Sequence, residues 1–339
     1  MLVHRLTTPG EVVIGAPPAH DAFPDRTFVP VARALWPIAG TGRYAAAVAR
    51  VLTRVGPSLI EVHNRPEVAL LLSRRFPDVP VTLFLHNDPR SMRRARNPAQ
   101  RRRLLARMRV ACVSEALRAF FLEGLDPGAD VAVLANCIDL AQIPPPAAAR
   151  DPVILFAGRL VADKGADAFV SACAAVLPRL PGWRAEMIGA DRFSPDSPET
   201  PFLAALRPAA QAAGIRLRGH LPHREVLEAM GQAAIMVVPS RWQEPFGMTA
   251  LEALASGTPL VVSPRPGLLE VAGDAALVAE PDEAGALAAA LMRLADDPAL
   301  RSQLSRMGRT RAALFGVAAA RARLAALRAR QLGAGRLLP

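Results

Sequence analysis

Two glutamates flank the start of a predicted helix and are suited to a ligand that carries hydroxyl groups. An apolar run at 235–238 predicts a buried strand, and a helical pattern follows over 248–255. Glu244 falls in the loop between them, and Glu252 falls in the helix. An ionised carboxylate only accepts hydrogen bonds, while the unpaired N–H groups of residues 247–249 suit an anion. A ligand that has phosphate groups in the middle and hydroxyl groups at both ends is a nucleotide-sugar, so this arrangement of residues predicts a nucleotide-sugar site.

A second loop carries two cations that suit a diphosphate. Residues 158–165 follow a predicted strand and include Arg159 and Lys164. Lys164 is the single lysine among 41 basic residues, which indicates a position where a compact ammonium is needed and a planar guanidinium would not fit. The loop lacks the sequence of a Walker loop and of a G-x-G-x-x-G fingerprint. The alternative interpretation is a surface loop with two solvated charges, but the lone lysine favours a bound diphosphate.

Two histidines in the first half of the chain fall just past predicted strands. His63 follows the predicted strand 58–62, and His86 follows the predicted strand 81–85. Ligands of open α/β sheets bind at the carboxyl ends of the strands, so both histidines are candidate site residues. A histidine in such a loop is equally often a plain surface or hydrogen-bonding residue.

The composition excludes several classes of protein. The chain has 339 residues, of which 51% are hydrophobic, and this is sufficient for two domains with sizeable cores. No apolar run approaches the roughly 18 residues of a membrane-spanning helix, and residues 1–10 lack the apolar stretch of a signal peptide. The three cysteines fit neither a disulfide framework nor a metal-site spacing. We therefore expect a cytoplasmic protein with no metal site.

Positive charge is concentrated in one segment. The formal net charge is +11, and residues 90–109 contain nine arginines and no acidic residue. The simplest explanation of the high net charge is GC-rich codon usage, which raises the arginine content. The simplest explanation of the arginine cluster is a basic face in contact with solvent. The alternative is a surface for anionic lipid headgroups, which would make the protein peripheral at the inner membrane face. Nucleic acid is the weaker alternative, because no aromatic residues are interleaved to stack on bases.

Strands and helices alternate along most of the chain, as in a doubly wound parallel sheet. The start is less regular, with a short strand predicted at 12–15, a loop at 17–30, and Gly40 and Gly42 in a turn before a helix at 43–53. The Pro-rich segment 142–152 predicts a linker. The resulting domains are an N-terminal domain over 1–141, a C-terminal domain over 153–315 and a final helix over 316–339 that packs back on the N-terminal domain.

The motifs taken together resemble a known family. G-R-L-V-A-D-K-G at 158–165, E-P-F-G-M-T-A-L-E at 244–252 and S-G-T-P-L-V-V-S at 256–263 occur in the order and spacing of the family 4 retaining glycosyltransferases of the GT-B fold. The resemblance is close over 153–291 and looser over 57–139. It implies an α/β protein with two Rossmann-like domains facing each other across a cleft, a donor nucleotide-sugar bound mainly by the second, and no cofactor or metal.

The resemblance implies a role for each motif residue. Glu252 would bind the ribose hydroxyls, and Glu244 would lie beside the transferred sugar. Arg159 and Lys164 would clamp the diphosphate and neutralise the leaving group as its bond breaks. The other donor-binding residues surround the helix start, where backbone amides would bind sugar and phosphate, and they are Phe246, Gly247, Met248 and Thr249.

In the first domain, His86 matches a histidine that reaches toward the sugar in this family, and it is the second catalytic candidate. Gly40, Gly42 and His63 are the acceptor-side candidates. The sequence departs from the family pattern at Cys137, where a glycine is common. A family pair of glycines is represented by Pro266-Gly267, and the first strand with its Gly-rich loop has no clear counterpart.

The resemblance implies a retaining hexosyltransferase that moves a sugar from a nucleotide-diphosphate sugar to a glycan or lipid-linked acceptor. Cell-surface polysaccharide or lipopolysaccharide assembly is the expected setting. The nucleotide base (UDP, GDP or ADP), the sugar and the acceptor stay open. Two other classes also stay open, namely a nucleotide-sugar hydrolase or epimerase on the same scaffold and a catalytically silent carbohydrate- or surface-binding protein.

Overall fold

The chain folds into two α/β units, and each is built on its own main parallel sheet. The computed structural model describes residues 2–16, 27–31, 40–147, 149–191 and 198–334. One unit consists of Met1–Cys137 and Val317–Pro339, and the other consists of Ile138–Gly316. The first crossing between the units therefore precedes the Pro-rich segment 142–152, whose last two residues already belong to the first strand of the second unit.

The first unit is built on a four-stranded sheet. Its elements are α1 (Leu2–Leu6), β1 (Val12–Gly15), β2 (Thr27–Pro30), α2 (Gly40–Val55), β3 (Ile60–His63), α3 (Pro66–Arg75), β4 (Val81–Leu85), α4 (Pro98–Leu105), β5 (Arg109–Cys112), α5 (Glu115–Leu122) and β6 (Val131–Val133). Strands β3 to β6 pair in parallel in chain order, while β1 and β2 form a separate parallel pair. His63 is the last residue of β3 and His86 follows β4, so both lie at the carboxyl edge of the four-stranded sheet.

Two predictions for the start of the chain are wrong. The predicted loop over 17–30 contains β2, since pairing with β1 overrides the weak local strand signal, and its residues 17–26 lie outside the described residues. Gly40 and Gly42 belong to the first turn of α2 and not to a turn before it. The first turn tolerates glycine because its N–H groups need no helical partner, and the buried side of α2 begins only at Ala45.

The second unit contains a six-stranded parallel sheet. Its elements are β7 (Asp151–Ala157), α6 (Ala166–Val176), β8 (Arg184–Ile188), α7 (Pro201–Ala212), β9 (Arg216–Gly219), α8 (His223–Gln232), β10 (Ala233–Val238), α9 (Met248–Ala255), β11 (Leu260–Val262), α10 (Pro266–Ala272), β12 (Ala276–Val278), α11 (Ala286–Asp296) and α12 (Pro298–Ala313). The strand order is β12-β11-β10-β7-β8-β9. The order reverses between β7 and β10, and doubly wound sheets bind ligands at the carboxyl ends of the strands at this point.

The two central strands are apolar because helices cover the sheet on both faces. Residues 233–237 of β10 and 153–156 of β7 are buried, and Phe156 packs on Phe169 of α6 with 5.6 Å between the ring centroids. The predicted strand 235–238 and helix 248–255 are confirmed as β10 and α9. The rigid core therefore fixes the two strand ends from which both motif loops start.

The last helix, α13 (Val317–Ala334), belongs to the first unit. Its apolar side joins a buried cluster that includes Leu6 and Phe84. Arg328 donates hydrogen bonds to Glu11 at 2.6 Å and to Glu61 of β3 at 2.6 and 2.8 Å. Apolar packing and the hydrogen bonds of Arg328 therefore both attach α13 to residues near the start of the chain. No helix in the described ranges has the length and apolar character that crossing a membrane requires.

Candidate active site

The two motif loops are in direct contact at the switch point of the second unit. The loop 158–165 follows β7 and the loop 239–247 follows the neighbouring β10. Gly165 has a φ of +69°, and a Cβ at this position would lie 1.9 Å from the carbonyl oxygen of Pro239. The backbone N–H groups of Arg241 and Trp242 donate to the carbonyl of Asp163 at 2.9 and 3.0 Å. A glycine at 165 is therefore required for the two loops to approach this closely.

This contact brings the single lysine to the loop glutamate. Lys164 Nζ forms an ion pair with Glu244 Oε1, and the Ser240 hydroxyl donates to the same oxygen at 3.0 Å. The Lys164 and Glu244 side chains are 24% and 13% exposed, so the pair is partly shielded from water. An ammonium has three donors, so Lys164 can contact Glu244 and still donate to a phosphate oxygen.

Arg241 of the loop 239–247 forms hydrogen bonds that connect this loop to the loop 158–165 and its surroundings. Its guanidinium donates to both carboxylate oxygens of Asp167 at 2.6 and 3.1 Å, to Asp282 at 2.6 Å and to the carbonyl of Ala162 at 2.9 Å. The hydrogen bond to Asp167 raises the pKa of Arg241 above its usual range. Arg241 therefore joins the β10 loop to the start of α6, and its charge is already compensated by protein carboxylates.

The start of α9 offers backbone amides at the same edge of the sheet. Gly247 precedes the helix with a φ of +100°, in the left-handed region, and Met248 and Thr249 form the first turn. The N–H groups of a first helical turn have no acceptor within the helix and are suited to an anion. The ring of Phe246 is only 2% exposed and packs edge-on against Phe315, so its side chain supports the loop and leaves any donor contact to the backbone.

Gly267 explains one departure from the family pattern. A Cβ at this position of α10 would lie 2.1 Å from the carbonyl oxygen of Glu244 and 2.9 Å from the nitrogen of Phe246. The first residues of α10 thus press directly on the backbone of the Glu244 loop. A single glycine is sufficient for this approach, and Pro266 in the first turn of α10 costs no hydrogen bond there.

A cavity of about 1100 Å³ opens beside these loops within the second unit. It lies at the carboxyl ends of β7, β8 and β9, and Arg159, Thr249 and Glu252 all line it. Glu252 Oε1 lies 2.9 Å from Nε2 of His223, the first residue of α8, which also lines the cavity. The structure therefore places one predicted cation and the helix glutamate at a single cavity of the size that small-molecule ligands occupy.

The two histidines of the first unit are hydrogen-bonded to each other. His63 Nδ1 and His86 Nε2 are 3.0 Å apart, and the backbone N–H of His86 donates to the side chain of Asn64 at 3.1 Å. Burial lowers the pKa of both histidines to about 4, assisted at His63 by the charge of Arg328 and at His86 by His63. Both rings are therefore neutral at pH 7, so the pair can donate or accept hydrogen bonds but carries no charge.

The glycines proposed for the acceptor side show no site geometry. Cβ atoms at Gly40 and Gly42 would meet nothing within 4 Å, so no close approach requires glycine there. In the part of the chain that the structure describes, no three His, Cys, Asp or Glu side chains are grouped as metal ligands would be.

Comparison with known proteins places this geometry in a family. The family model described as Glycosyl transferases group 1 matches residues 141–311, just over half of the chain. The chain belongs to this family. A second model, Glycosyltransferase Family 4, matches residues 3–142. The resemblance identified from the motifs at 158–165 and 244–252 is thereby confirmed.

Curated relatives within the group 1 glycosyltransferases differ in name. A glycogen synthase from Mycobacterium tuberculosis is 34% identical over 212 residues, which cover 59% of this chain and 48% of that protein. The putative glycosyltransferase YtcC from Bacillus subtilis is 29% identical over 252 residues, which cover 67% of this chain and 60% of that protein. The chain spans about half the length of the first of these relatives.

Solved structures share the fold. A sucrose-phosphate synthase from Thermosynechococcus elongatus superposes with a TM-score of 0.76 at 21% identity, covering 97% of this chain and 88% of that chain. Anabaena Alr3699/HepE in complex with UDP gives a TM-score of 0.74 at 17% identity, covering 90% of this chain and 86% of that chain. The α/β GT-B fold class with two Rossmann-like units is confirmed.

Three residues of the candidate site are absent from the sequence-based prediction. Ser240 and Arg241 lie in the loop 239–247. The partners of Arg241 are distant in sequence and give no local signal, and they are Asp163, Asp167 and Asp282. His223 could have been found, because it follows β9 closely and the carboxyl end of every strand in such a sheet is a place to look for site residues.

The neutral histidine pair predicts a pH dependence of stability. Because the folded pKa of about 4 lies below the unfolded value of about 6.5, the unfolded chain binds more protons between these pH values. Stability should therefore be unaffected by the pair above pH 7 and should fall from pH 6.5 to pH 4, by up to about 1 kcal/mol per pH unit for each histidine.

Urea unfolding of the wild type and of the His63→Asn/His86→Gln double variant at pH 7, 6 and 5 measures this effect. The variant should show the shallower loss of unfolding free energy. Parallel pH profiles for the two proteins would contradict the assignment of a buried neutral pair.

Proposed function

We propose that this protein transfers a sugar, with retention of anomeric configuration, from a nucleotide-diphosphate sugar to a glycan or lipid-linked acceptor. The observation that carries the proposal is the junction of Lys164 and Glu244 at the switch point, beside a cavity lined by Arg159 and Glu252. The names of its relatives support it, since they include a glycogen synthase and a sucrose-phosphate synthase. The HepE structures with UDP and with UDP-glucose support the same class of donor.

Each part of the donor has a matching group in the second unit. Glu252 in the cavity accepts hydrogen bonds from the ribose hydroxyls. Arg159, Lys164 and the first amides of α9 bind the diphosphate, where a helix start and two cations reinforce one another. Glu244 accepts hydrogen bonds from the transferred hexose. The cations also stabilise the negative charge that develops on the departing diphosphate, and no metal is needed for this task.

The environment of Glu244 favours substitution on one face of the sugar over a glycosyl-enzyme intermediate. Its Oε1 already accepts hydrogen bonds from Lys164 and Ser240, and these stabilise the carboxylate and weaken it as a nucleophile. In the proposed step the acceptor oxygen bonds to the anomeric carbon as the bond from that carbon to the diphosphate oxygen breaks. The acceptor proton passes to the leaving phosphate oxygen. Retaining glycosidases, in contrast, place one carboxylate on each side of the scissile bond.

A role for His86 in this reaction stays a prediction from the resemblance. The neutral His63–His86 pair defines what such a role involves, because a neutral imidazole offers one N–H donor and one acceptor but no positive charge. His86 is therefore suited to hydrogen bonding with a sugar hydroxyl rather than to neutralising a phosphate.

The first test is ligand binding. Thermal unfolding with UDP, GDP and ADP should show a rise in midpoint for at least one of them, because a ligand that binds only the folded state stabilises it. Lys164→Ala should weaken that nucleotide at least about tenfold, since a charge-assisted contact is lost, and Lys164→Arg should restore little of it. Full affinity in the arginine variant would show that a general positive charge is sufficient.

Product analysis distinguishes the enzyme classes. The matching nucleotide-sugar is supplied with and without sugar acceptors, in the presence of EDTA. Transfer to an acceptor supports the proposal, while free sugar or an altered donor as the sole product indicates a hydrolase or an epimerase. A protein that binds nucleotide but forms no product with any donor would be a silent binding protein.

A separate test concerns Glu244. Glu244→Ala should lower kcat by about 100-fold with little change in the donor KM, because its contacts are strengthened in the transition state. Mass spectrometry of the wild type with a slow fluorinated donor should find no sugar attached to the Glu244 peptide. A covalent adduct there would replace single-face substitution with a double displacement.

We also propose that the arginine-rich segment attaches the protein to anionic lipids at the membrane surface. Arg90, Arg93 and Arg109 form ion pairs, and Arg101 is 2% exposed and donates to the carbonyls of Ala95 and Arg96. The others are exposed and form no ion pair with any described residue, and they are Arg94, Arg96, Arg102, Arg103 and Arg107. These five side chains are left to interact with an outside anion, and they suit a setting in cell-surface glycan assembly.

Vesicle binding tests this attachment. Arg102→Glu/Arg103→Glu should reduce binding to vesicles that contain phosphatidylglycerol by at least about tenfold, and added salt should shrink the difference. The matched control is Arg293→Glu/Arg306→Glu, which changes the net charge equally at exposed positions of α11 and α12. Equal losses in the two variants would show that net charge alone governs binding.

A further inference from the structure

Glu252 has a protein partner of its own in the donor cavity. The Nε2 atom of His223 lies 2.9 Å from Glu252 Oε1. The two residues come from neighbouring helices, since His223 begins α8 and Glu252 lies in α9. Both side chains line the cavity that also contains Arg159 and Thr249. The contact thus joins two walls of one cavity at the carboxylate expected to receive the ribose.

We propose that His223 is a positioning residue of the donor site, which holds the Glu252 carboxylate in the orientation that accepts ribose hydroxyls. This inference rests on the proposed function. It adds a consequence, namely that His223 contributes to the preference of the site for ribonucleotides over 2′-deoxyribonucleotides.

The chemistry of the pair determines which group donates. An ionised carboxylate only accepts hydrogen bonds, so the proton of this contact is on Nε2 of His223. Oε1 of Glu252 contacts His223, and no other side chain among the described residues has a hydrogen bond to Oε2, so this oxygen can accept from a hydroxyl donor. One carboxylate can in this way be fixed by the protein and still bind a diol.

The burial of the two side chains agrees with a positioning role. The Glu252 side chain is 14% exposed, whereas that of His223 is 41% exposed. A glutamate in a helix has three side-chain torsions, and a hydrogen bond to its terminal oxygen removes the alternatives that point away from the ligand. His223 lies in the first turn of α8, which is closed by a hydrogen bond from the N–H of Val226 to the carbonyl of Pro222 at 3.2 Å. His223 therefore supplies a donor on a rigid element.

The experiment measures dissociation constants by calorimetry for the best-binding nucleoside diphosphate among UDP, GDP and ADP and for its 2′-deoxy analogue. The wild type should prefer the ribonucleotide. His223→Ala should weaken the ribonucleotide by about three- to tenfold and the deoxy analogue less, so that the preference shrinks. His223→Gln should keep most of the preference, because its amide can donate to the same oxygen. Glu252→Ala should abolish the preference.

The control variant is Arg224→Ala, which removes the next side chain along α8. This side chain is 86% exposed and pairs with Glu228, and it does not line the cavity. Its preference should equal that of the wild type, which shows that a general disturbance of the α8 start is not the cause.

Three results would overturn the inference, and they differ in what else they affect. If His223→Ala keeps the preference while Glu252→Ala loses it, the positioning role fails and the proposed function stands. If His223→Ala weakens both nucleotides equally, the residue supports the fold of the cavity and not the ribose contact. If the wild type binds none of the three nucleoside diphosphates, the proposed function fails and this inference fails with it.

Discussion

The close approach of two loops at the switch point of the second sheet is the constraint on which the candidate site depends. Gly165 leaves room for the carbonyl of Pro239, and a side chain there would push the β7 loop away from the β10 loop. Lys164 meets Glu244 only because this distance is short. Arg241 then holds the β10 loop in place through Asp167 and Asp282, so the positive charge of this guanidinium is itself paired with carboxylates.

The environments of the two glutamates explain why acids eight residues apart can perform different tasks. Glu244 lies in a loop, where its carboxylate is held by the ammonium of Lys164 and the hydroxyl of Ser240. Glu252 lies on a helix and lines a cavity, where its Oε1 contacts the imidazole of His223.

The carboxyl edges of the two sheets differ in their electrostatic character. In the second unit this edge holds ion pairs, which include Lys164 with Glu244 and Arg241 with Asp167. In the first unit it holds His63 and His86 as a neutral pair, stacked against Phe84 and kept uncharged by burial. The helix α13 maintains this state, because Arg328 is held close by Glu11 and Glu61 and its charge opposes protonation of His63. The first unit thus offers hydrogen bonds without charge, which is what hydroxyl groups need.

The sequence by itself determined the elements with strong periodicity and the motif residues attached to them. Clear local signals came from the run at 235–238, the helix at 248–255 and the lone Lys164. A strand that is buried on both faces must be apolar along its length, and a helix shows its own hydrophobic period. The lysine was conspicuous because every other basic residue is an arginine or a histidine. Only the tertiary structure decided which residues meet. Lys164 and Glu244 are 80 residues apart, the partners of Arg241 lie 74 and 41 residues away, and His223 reaches Glu252 across 29 residues. The structure also placed Gly40 and Gly42 in the first turn of a helix, where the N–H groups need no helical partner and glycine is tolerated. Strand order determines such meetings, and strand order depends on how the whole sheet is covered and not on any single stretch of sequence.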